Sequence, residues 1–443
     1  MAWGAPKGVD DLLVKLRTDA NLTSLVILRN RRFGVTEATQ FAAALSSNST
    51  LTELFASGHA VGEEGAAAFG KALVTNTALS ALSLGDNGMS DEGVTALVHG
   101  GLHKNTGLVK LDLEYKSVTR GDHIGHLLQH HTALQDLRLG RNRIGNDGLI
   151  ALCQGLCAST ALTHLDLSSN AFGQEGVAAL TQTLPSTLTG LDLSGNALCG
   201  SAGHTLFTSL AVAQNATLAT LKLRDCALDA TAAAALMLWS RTNPEHACYA
   251  RHTALSSLDL TGNTDLGAAG ARAAVQCSSR LSWLSICGLC AGDEGAGLVA
   301  ANAPPTLTHL DASRNGIGPD GACALLALLQ LTELRLFNNS IGDNGAAAVA
   351  GALKRAAEAG SCKMATFDLG ANGLTHEGIV VLLEAVRPCN FLRVLELGGN
   401  TVDEAAESAI RALQDVRPDV DVAFRTNGGG LGGAGQQRNN AQG

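Results

Sequence analysis

A short leucine-based motif recurs along nearly the whole chain and constrains the fold more than any other feature. One copy lies within the stretch from Leu134 to Gly148, LQDLRLGRNRIGNDG, and its pattern is L-x-x-L-x-L-x-x-N/C. Self-similarity of this kind is the signature of a repeat protein, in which each unit buries its apolar face against its neighbours. The sequence contains 14 copies of this motif, which begin at Leu22, Leu51, Leu79, Leu108, Leu134, Leu162, Leu188, Leu218, Leu255, Leu281, Leu307, Leu331, Met364 and Leu392.

The first half of each repeat predicts a short strand. In Leu137-Arg138-Leu139 the side chains alternate, so the two leucines point inward and Arg138 points outward. A strand this short must pair with the strand of the next repeat. The asparagine that closes the motif bonds backbone groups that the turn leaves unpaired, which predicts a ladder of buried amides. The ladder would contain Asn30, Asn87, Asn142, Asn170, Asn196, Asn263, Asn315, Asn339, Asn372 and Asn400, with Cys226 in the same place and departures at His59, Lys116 and Leu289.

The second half of each repeat predicts a helix. After the turn Gly173–Gly176, the residues Val177, Ala178, Leu180 and Leu184 have helical spacing. Paired strands lie about 4.8 Å apart, whereas packed helices need about 8–10 Å. The sequence therefore predicts an α/β solenoid of about 14 repeats, with a parallel sheet on its concave face and α-helices on its convex face.

The motif and its continuation, I/L-G-x-x-G-x-x-x-L, resemble the leucine-rich repeat family and within it the ribonuclease-inhibitor-like subclass. That subclass also forms the C-terminal arms of NOD-like receptors and the body of Ran GTPase-activating proteins. The resemblance implies a horseshoe that binds a protein partner.

Three segments are expected along the chain. Residues 1–21 would form an N-terminal capping helix, with Leu12, Leu13 and Leu16 on its apolar face. Residues 22–425 would form the repeat domain, ending in a closing strand in which Val420, Val422 and Phe424 alternate. Residues 426–443, rich in glycine, glutamine and asparagine, would be a disordered tail.

Charge and cysteine usage narrow the class of protein. The net charge is −9 and no basic stripe appears, so nucleic acid is not the expected partner. No secretory signal and no long apolar run is present, so we expect a cytoplasmic protein with no membrane contact. The 11 cysteines are expected to be free thiols, with Cys153, Cys199 and Cys277 as small core residues. We expect a monomer.

The residue between the last two leucines of each motif would point into the concavity, and seven of these 14 residues are acidic and three basic. These acidic residues could recognise a basic partner, or they could simply belong to the L-D-L-S-x-N sequence that is common in leucine-rich repeats. Interruptions by arginine, lysine and aromatic side chains are a better clue, because such side chains anchor interfaces. The predicted partner-binding residues are Asp112, Glu114, Arg138, Arg141, Asp166, Asp192, Lys222, Arg224, Asp259, Trp283, Asp311, Arg335, Phe337 and Asp368.

Three local features have two interpretations each. His123, His126 and His130 share one helical face and could form a metal site, but we interpret them as a solvated face. The pair Cys287 and Cys290 could be redox-active or half a zinc site, but both positions suit small side chains in the repeat. The longer connection from Trp239 to Thr253 is either a functional loop or a tolerated insertion.

No catalytic or phosphate-binding motif is present, so the sequence predicts a non-enzymatic binding scaffold with no cofactor and no metal. The predicted ligand is a protein held on the concave face. Two alternatives follow from the resemblance. One is a Ran-type GTPase-activating protein, although a glycine- and glutamine-rich tail stands where that family continues into an acidic segment. The other is an innate-immune-type sensor arm or a cytoskeletal or axonemal scaffold.

Overall fold

Strands of three residues alternate with helices along the chain, and this alternation defines every repeat. The contacts between residues divide the chain into two compact units, Met1–Lys222 and Leu223–Gly443. Each unit is a leucine-rich α/β solenoid, with its strands on one side and its helices on the other. The computed structural model describes residues 7–85, 89–115, 117–212, 217–239, 254–425 and 431–432.

In the first unit, eight parallel strands pair in chain order. The strands are β1 Ser24–Val26, β2 Glu53–Phe55, β3 Ala81–Ser83, β4 Lys110–Asp112, β5 Asp136–Arg138, β6 His164–Asp166, β7 Gly190–Asp192 and β8 Thr220–Lys222. The helices are α1 Asp10–Thr18, α2 Val35–Leu45, α3 Gly62–Thr75, α4 Asp91–Gly100, α5 Asp122–His130, α6 Gly145–Leu156, α7 Gln174–Thr183 and α8 Ser201–Val212, and a 3₁₀ turn at Leu102–Lys104 follows α4.

In the second unit, the strands again pair in chain order, and all but the last pair are parallel. The strands are β9 Ser257–Asp259, β10 Trp283–Ser285, β11 His309–Asp311, β12 Glu333–Arg335, β13 Thr366–Asp368, β14 Val394–Glu396, β15 Asp421–Arg425 and β16 Leu431–Gly432. The helices are α9 Ala230–Trp239, α10 Gly267–Gln276, α11 Gly292–Asn302, α12 Pro319–Leu326, α13 Gly342–Ala359, α14 His376–Val386 and α15 Glu404–Val416, and a 3₁₀ turn at Thr264–Leu266 precedes α10.

The leucines of the motif form the core between sheet and helices. The middle residue of each strand aligns with that of the next, as Leu54 does with Leu82 and Leu82 with Leu111. All three are at most 1% exposed. The alternation read from the sequence therefore holds, because the residues on either side of each buried leucine project from the opposite face of the sheet.

The predicted amide ladder is present in both units. Asn196 donates to the backbone oxygens of Leu167 and Leu193, and its own oxygen accepts from the backbone N–H of Asn170. His59 replaces an asparagine without breaking the ladder, since its Nε2 lies 3.0 Å from the backbone oxygen of Ile27. The buried asparagines of this ladder are Asn142, Asn170, Asn196, Asn263, Asn315, Asn339, Asn372 and Asn400.

The prediction was wrong for Asn30, which is exposed. It belongs to the first repeat, so no preceding repeat offers a backbone oxygen of the kind that Asn196 takes from Leu167. Asn87 and Lys116 lie outside the described residues.

A second amide ladder, which we did not predict, precedes the strands of the first unit. Asn105 donates to the backbone oxygens of Leu73 and Asn76, and accepts from the N–H groups of Gly107 and Leu108. Asn76 makes the equivalent bonds one repeat earlier. These amides connect each helix end to the strand that follows it.

The ends of the array carry the elements expected there. In α1, Leu12, Leu13 and Leu16 are buried. In β15, Val422 is 0% exposed and the strand pairs in parallel with β14. That α1 caps the array and that residues 426–443 are disordered remain predictions, and nearly all of that tail lies outside the described residues. In the described part of the chain, none of the helices is long and apolar enough to cross a bilayer.

Among the described residues, ten cysteines are free thiols. Cys153 and Cys277 are buried, and burial raises the pKa of the Cys277 thiol to about 12. Cys199 was wrongly predicted to be a core residue, because it is exposed in the turn before α8.

Candidate functional site: the two sheet faces

The candidate site is the side of each sheet that faces away from the helices. We call this surface the first sheet face on β1–β8 and the second sheet face on β9–β15. The first and third residues of each strand project from it, because the middle residue is buried in the core. In all, 13 of the 14 predicted binding residues keep some exposure there or in the adjoining turns.

On the first sheet face, charged side chains form a row in strict register. Each residue of the row is the partner of the next one along adjacent strands. Two depressions of about 300 Å³ and 330 Å³ lie over this row. The row consists of Ser83, Asp112, Arg138, Asp166, Asp192 and Lys222.

The cations of the first sheet face lie beside carboxylates but stay exposed. Arg138 lies 3.5 Å from Asp136, two residues earlier on its own strand, and Lys222 lies 3.6 Å from Asp192 on the adjacent strand. More than half of each cationic side chain is accessible. Ion pairs this exposed contribute little to stability, so both cations remain available to a partner.

The carboxylates next to Arg138 are partly desolvated. Asp112 accepts from the Ser83 hydroxyl at 2.5 Å and from the backbone N–H of Glu114 at 2.9 Å. Burial, together with the charges of Asp112 and Asp166, raises the pKa of Glu114. A cation from a partner would relieve this repulsion.

Arg141 lies in the turn after β5, where its guanidinium sits 4.7 Å from the centre of the Tyr115 ring. This is a cation–π contact between successive repeats. Tyr115 is 40% exposed, so one aromatic surface is presented beside the charged row. Tyr115 was not among the predicted residues.

On the second sheet face, the corresponding row has four carboxylates and one guanidinium. Its members are aligned strand by strand. Arg335 bonds Glu333 on its own strand at 2.5 Å, while 54% of its side chain is exposed. Trp283 is half-buried one row away. The row consists of Asp259, Ser285, Asp311, Arg335, Asp368 and Glu396.

Asp259 does not fit the prediction of an accessible acid. It is only 4% exposed, and Arg224 covers it at 2.8 Å. Asp259 also accepts from the Thr261 hydroxyl. Arg224 is therefore the accessible member of this pair, and the carboxylate is internal to the sheet face.

A depression of about 370 Å³ lies at Phe337, Asp368 and Glu396. A Cβ atom on Gly370 would lie 2.8 Å from the Phe337 ring, so the ring rests against this glycine. The pKa of Asp368 is raised to about 6, because burial and the charge of Glu396, which raise it, outweigh the Gly370 N–H bond and Arg335, which lower it. An exposed aromatic ring therefore adjoins two carboxylates.

The prediction missed the ion-pair partners Asp136 and Glu333, and the lining residue Glu396. A signal was available, since residues two apart on a strand share a face and Asp136 stands two before Arg138. Which partner each exposed residue would meet is not encoded in the repeat.

On the helix side, His123, His126 and His130 are not simply solvated, since they contact His99 and His103. Cys287 is partly buried and Cys290 is exposed, and burial raises the pKa of Cys287 to about 11. As the side chains stand, no group of three His, Cys, Asp or Glu within the described residues is arranged to hold a metal ion.

A family model described as a leucine-rich repeat matches residues 75–98, 130–153, 158–180, 303–326 and 330–350. The chain is a leucine-rich repeat protein. Among curated proteins, it is similar to human NACHT, LRR and PYD domains-containing protein 12, with 31% identity over 215 residues. The match covers 46% of this chain and 19% of the relative, so the chain spans less than two thirds of that relative's length.

Among solved structures, this leucine-rich repeat protein is similar to an internalin from Listeria monocytogenes, at 17% identity and a TM-score of 0.44, over 87% of this chain and 88% of that one. It is also similar to a chain of the yeast Rad7 and Elc1 complex, at 17% identity and a TM-score of 0.45, over 82% of each chain. Leucine-rich repeat arrays in general act as protein-interaction scaffolds, because stacked repeats present an extended surface. The ribonuclease-inhibitor-like subclass remains a prediction.

Proposed function

We propose that this leucine-rich repeat protein is a binding scaffold whose two sheet faces each hold a protein surface. One observation carries the proposal. Side chains that commonly anchor interfaces are held in register on strands and remain exposed, among them Arg138, Lys222 and Arg335, and the exposed Phe337 follows β12 in the next turn. Strand-borne side chains are fixed in spacing by the ladder, so little order has to be gained on binding.

Charge favours a partner with mixed polarity. On the first sheet face the exposed cations would meet carboxylates, while partly desolvated Glu114 and Asp112 would meet a cation. Such complementarity determines specificity and association rate more than affinity. The proposal is therefore sensitive to reversal of a few charges.

The test is a quantitative affinity capture from lysate with the full chain and two face variants, identified by mass spectrometry. Arg138→Glu/Lys222→Glu changes the first sheet face, and Arg335→Glu changes the second. The matched controls reverse the same number of exposed cations on the helix side, as Lys15→Glu/Lys71→Glu and Arg272→Glu. Thermal melting of every variant establishes that it is folded.

A partner retained by the controls and reduced roughly tenfold by one face variant would support the proposal, since that is about 1.4 kcal/mol of lost binding. Equal capture by the face variants and the wild type would contradict it. Binding lost only in the helix-side controls would move the partner to the helices and overturn the assignment to the sheet faces.

The alternatives drawn from the family resemblance remain predictions. A GTP-hydrolysis assay with a Ran-like GTPase distinguishes a GTPase-activating protein from a scaffold. Hydrolysis accelerated by the full chain would favour the activator. An unchanged rate, together with partner loss in a face variant, would favour the scaffold.

A further inference from the structure

Five histidines from α4, from the 3₁₀ turn that follows it and from α5 meet on the helix side of the first unit. His99 belongs to α4 and His103 to the 3₁₀ turn after it, while the other three belong to α5. These residues lie outside both sheet faces, so they are independent of the proposed function. We call His99, His103, His123, His126 and His130 the histidine cluster.

The rings of the cluster are grouped around His126. Its ring centre lies 5.0 Å from that of His99, 5.3 Å from that of His103 and 4.2 Å from that of His130. His103 and His130 are 6.4 Å apart. The imidazoles of His99, His103, His126 and His130, which come from three helical segments, thus lie within one small volume.

Two of these rings have a defined tautomer. The Nδ1 of His103 is 2.8 Å from the backbone oxygen of Val98, and the Nδ1 of His130 is 2.8 Å from the backbone oxygen of His126. A carbonyl oxygen only accepts, so each Nδ1 donates and the neutral ring keeps its lone pair on Nε2. Histidines that bind metals show the same backing bond to a carbonyl.

The cluster also contains an unsatisfied buried nitrogen. In the described structure, Nε2 of His123 is buried and has no hydrogen-bond partner, although the Asp122 carboxylate lies 3.7 Å away, and its Nδ1 lies 3.1 Å from Nε2 of His99. Such a group in a native protein calls for an explanation, and an ion or water nearby is one.

The spacing of the rings around His126 suits a common metal centre. With metal–nitrogen bonds of about 2.0–2.1 Å, two imidazoles bound tetrahedrally have ring centres roughly 5 Å apart. The spacings around His126, from 4.2 to 5.3 Å, lie close to this value, whereas the His99–His103 spacing of 6.2 Å and the His103–His130 spacing of 6.4 Å would each have to shorten by about 1 Å. The rings are not yet turned toward one point. His99 is exposed, so rotation of its side chain needs no change in the backbone.

We propose that His99, His103, His126 and His130 bind one divalent transition-metal ion, of which Zn²⁺ is the representative. An all-imidazole set suits Zn²⁺, Ni²⁺ and Cu²⁺ and disfavours Mg²⁺ and Ca²⁺. His123 supports the site through its contact with His99. The ion would join α4 to α5 and so connect two successive repeats.

The experiment is titration of the metal-free full chain with ZnCl₂ by isothermal calorimetry, followed by thermal melting with and without Zn²⁺. We expect one ion per chain, micromolar affinity or tighter, and a higher Tm with Zn²⁺. The variant His126→Asn/His130→Asn should weaken binding roughly a hundredfold, as expected for loss of two ligands. The control His204→Asn/His376→Asn removes two exposed histidines of α8 and α14 and should leave the affinity unchanged.

Lack of stoichiometric Zn²⁺ binding by the wild-type chain would overturn the proposal, and so would equal affinity in the two double variants. Because His126 is partly buried, the exposed His99→Gln provides a second variant that preserves the fold. It should weaken Zn²⁺ binding roughly tenfold, and an affinity equal to that of the wild type would remove His99 from the site.

Discussion

Asn105 and His131 occupy the same place in successive repeats, three residues before the first leucine of the motif. Asn105 makes four hydrogen bonds between 2.6 and 3.0 Å, and it is 2% exposed. His131 is equally buried, but the one hydrogen bond of its side chain in the described structure joins Nδ1 to the N–H of Ala133 at 3.3 Å, and Nε2 has no hydrogen-bond partner.

The difference shows that the backbone of the repeat tolerates a buried side chain that makes fewer hydrogen bonds to it. Burial lowers the pKa of His131 to about 4. An asparagine at this place contributes stability at every pH, whereas a histidine makes stability depend on pH. The turn before β5 is therefore the weaker of the two.

The largest expected effect is that of Asn105→Ala. The substitution leaves the backbone groups of Leu73, Asn76, Gly107 and Leu108 without their partner. We expect the free energy of unfolding to fall by roughly 2–4 kcal/mol, which is below the sum of about 1–3 kcal/mol for each of the four groups, because water can enter the space that the amide leaves. Urea unfolding measures this, and a loss below about 0.5 kcal/mol would contradict the ladder. The exposed Asn21→Ala is the control.

The second prediction concerns His131→Asn, which restores the amide. The folded pKa of about 4 lies below the ordinary 6.5, so the unfolded chain binds the extra proton between these values. Wild-type stability should therefore fall by roughly 2–3 kcal/mol as the pH drops through that window. The variant should lose this component. Urea unfolding at about pH 7.5 and about pH 5 compares the two proteins, because the other titrating groups cancel in the difference. Parallel pH profiles would show that His131 is not the sensitive group.

The smallest effect is expected on the second sheet face, with the opposite sign. The folded pKa of Asp368, about 6, lies above the ordinary 3.8, so its charged form costs stability above that window and the cost disappears as the pH falls. Asp368→Asn keeps an oxygen to accept the Gly370 N–H. At about pH 8 we expect a gain of about 1 kcal/mol, reduced from the full shift because the side chain is only partly buried. A variant less stable than the wild type at that pH would show that the charge is compensated.

The strands, the buried leucines and the predicted amide ladder were all predictable, because each follows from a short local period. We call this ladder, whose asparagines follow the strands, the strand-exit ladder. The ladder of Asn76 and Asn105 was also encoded, as an asparagine three residues before Leu79 and Leu108, but this position lies outside the repeated motif, which begins at the leucine. Its bonds became visible only in three dimensions.

The histidine cluster and the ion pairs could not be predicted in the same way. His99 and His103 join His126 only because α4 and α5 pack side by side, and the repeat motif carries no information on which exposed side chains will meet. Asp259 looked like every other acid of its row, yet the position of Arg224 makes it internal. Departures from a period are where tertiary contacts decide.

The strand-exit ladder has a consequence for how such a chain changes length over evolution. In the described part of the chain, the side chain of Asn196 bonds backbone groups of its own repeat and of the one before it. Backbone atoms are the same in every repeat, so a duplicated or deleted whole repeat finds its partners intact, whatever its other side chains are. A gain or loss of a few residues inside a strand shifts the register and breaks these bonds. The gene can therefore lengthen or shorten the array by whole repeats, while small insertions are confined to the connections.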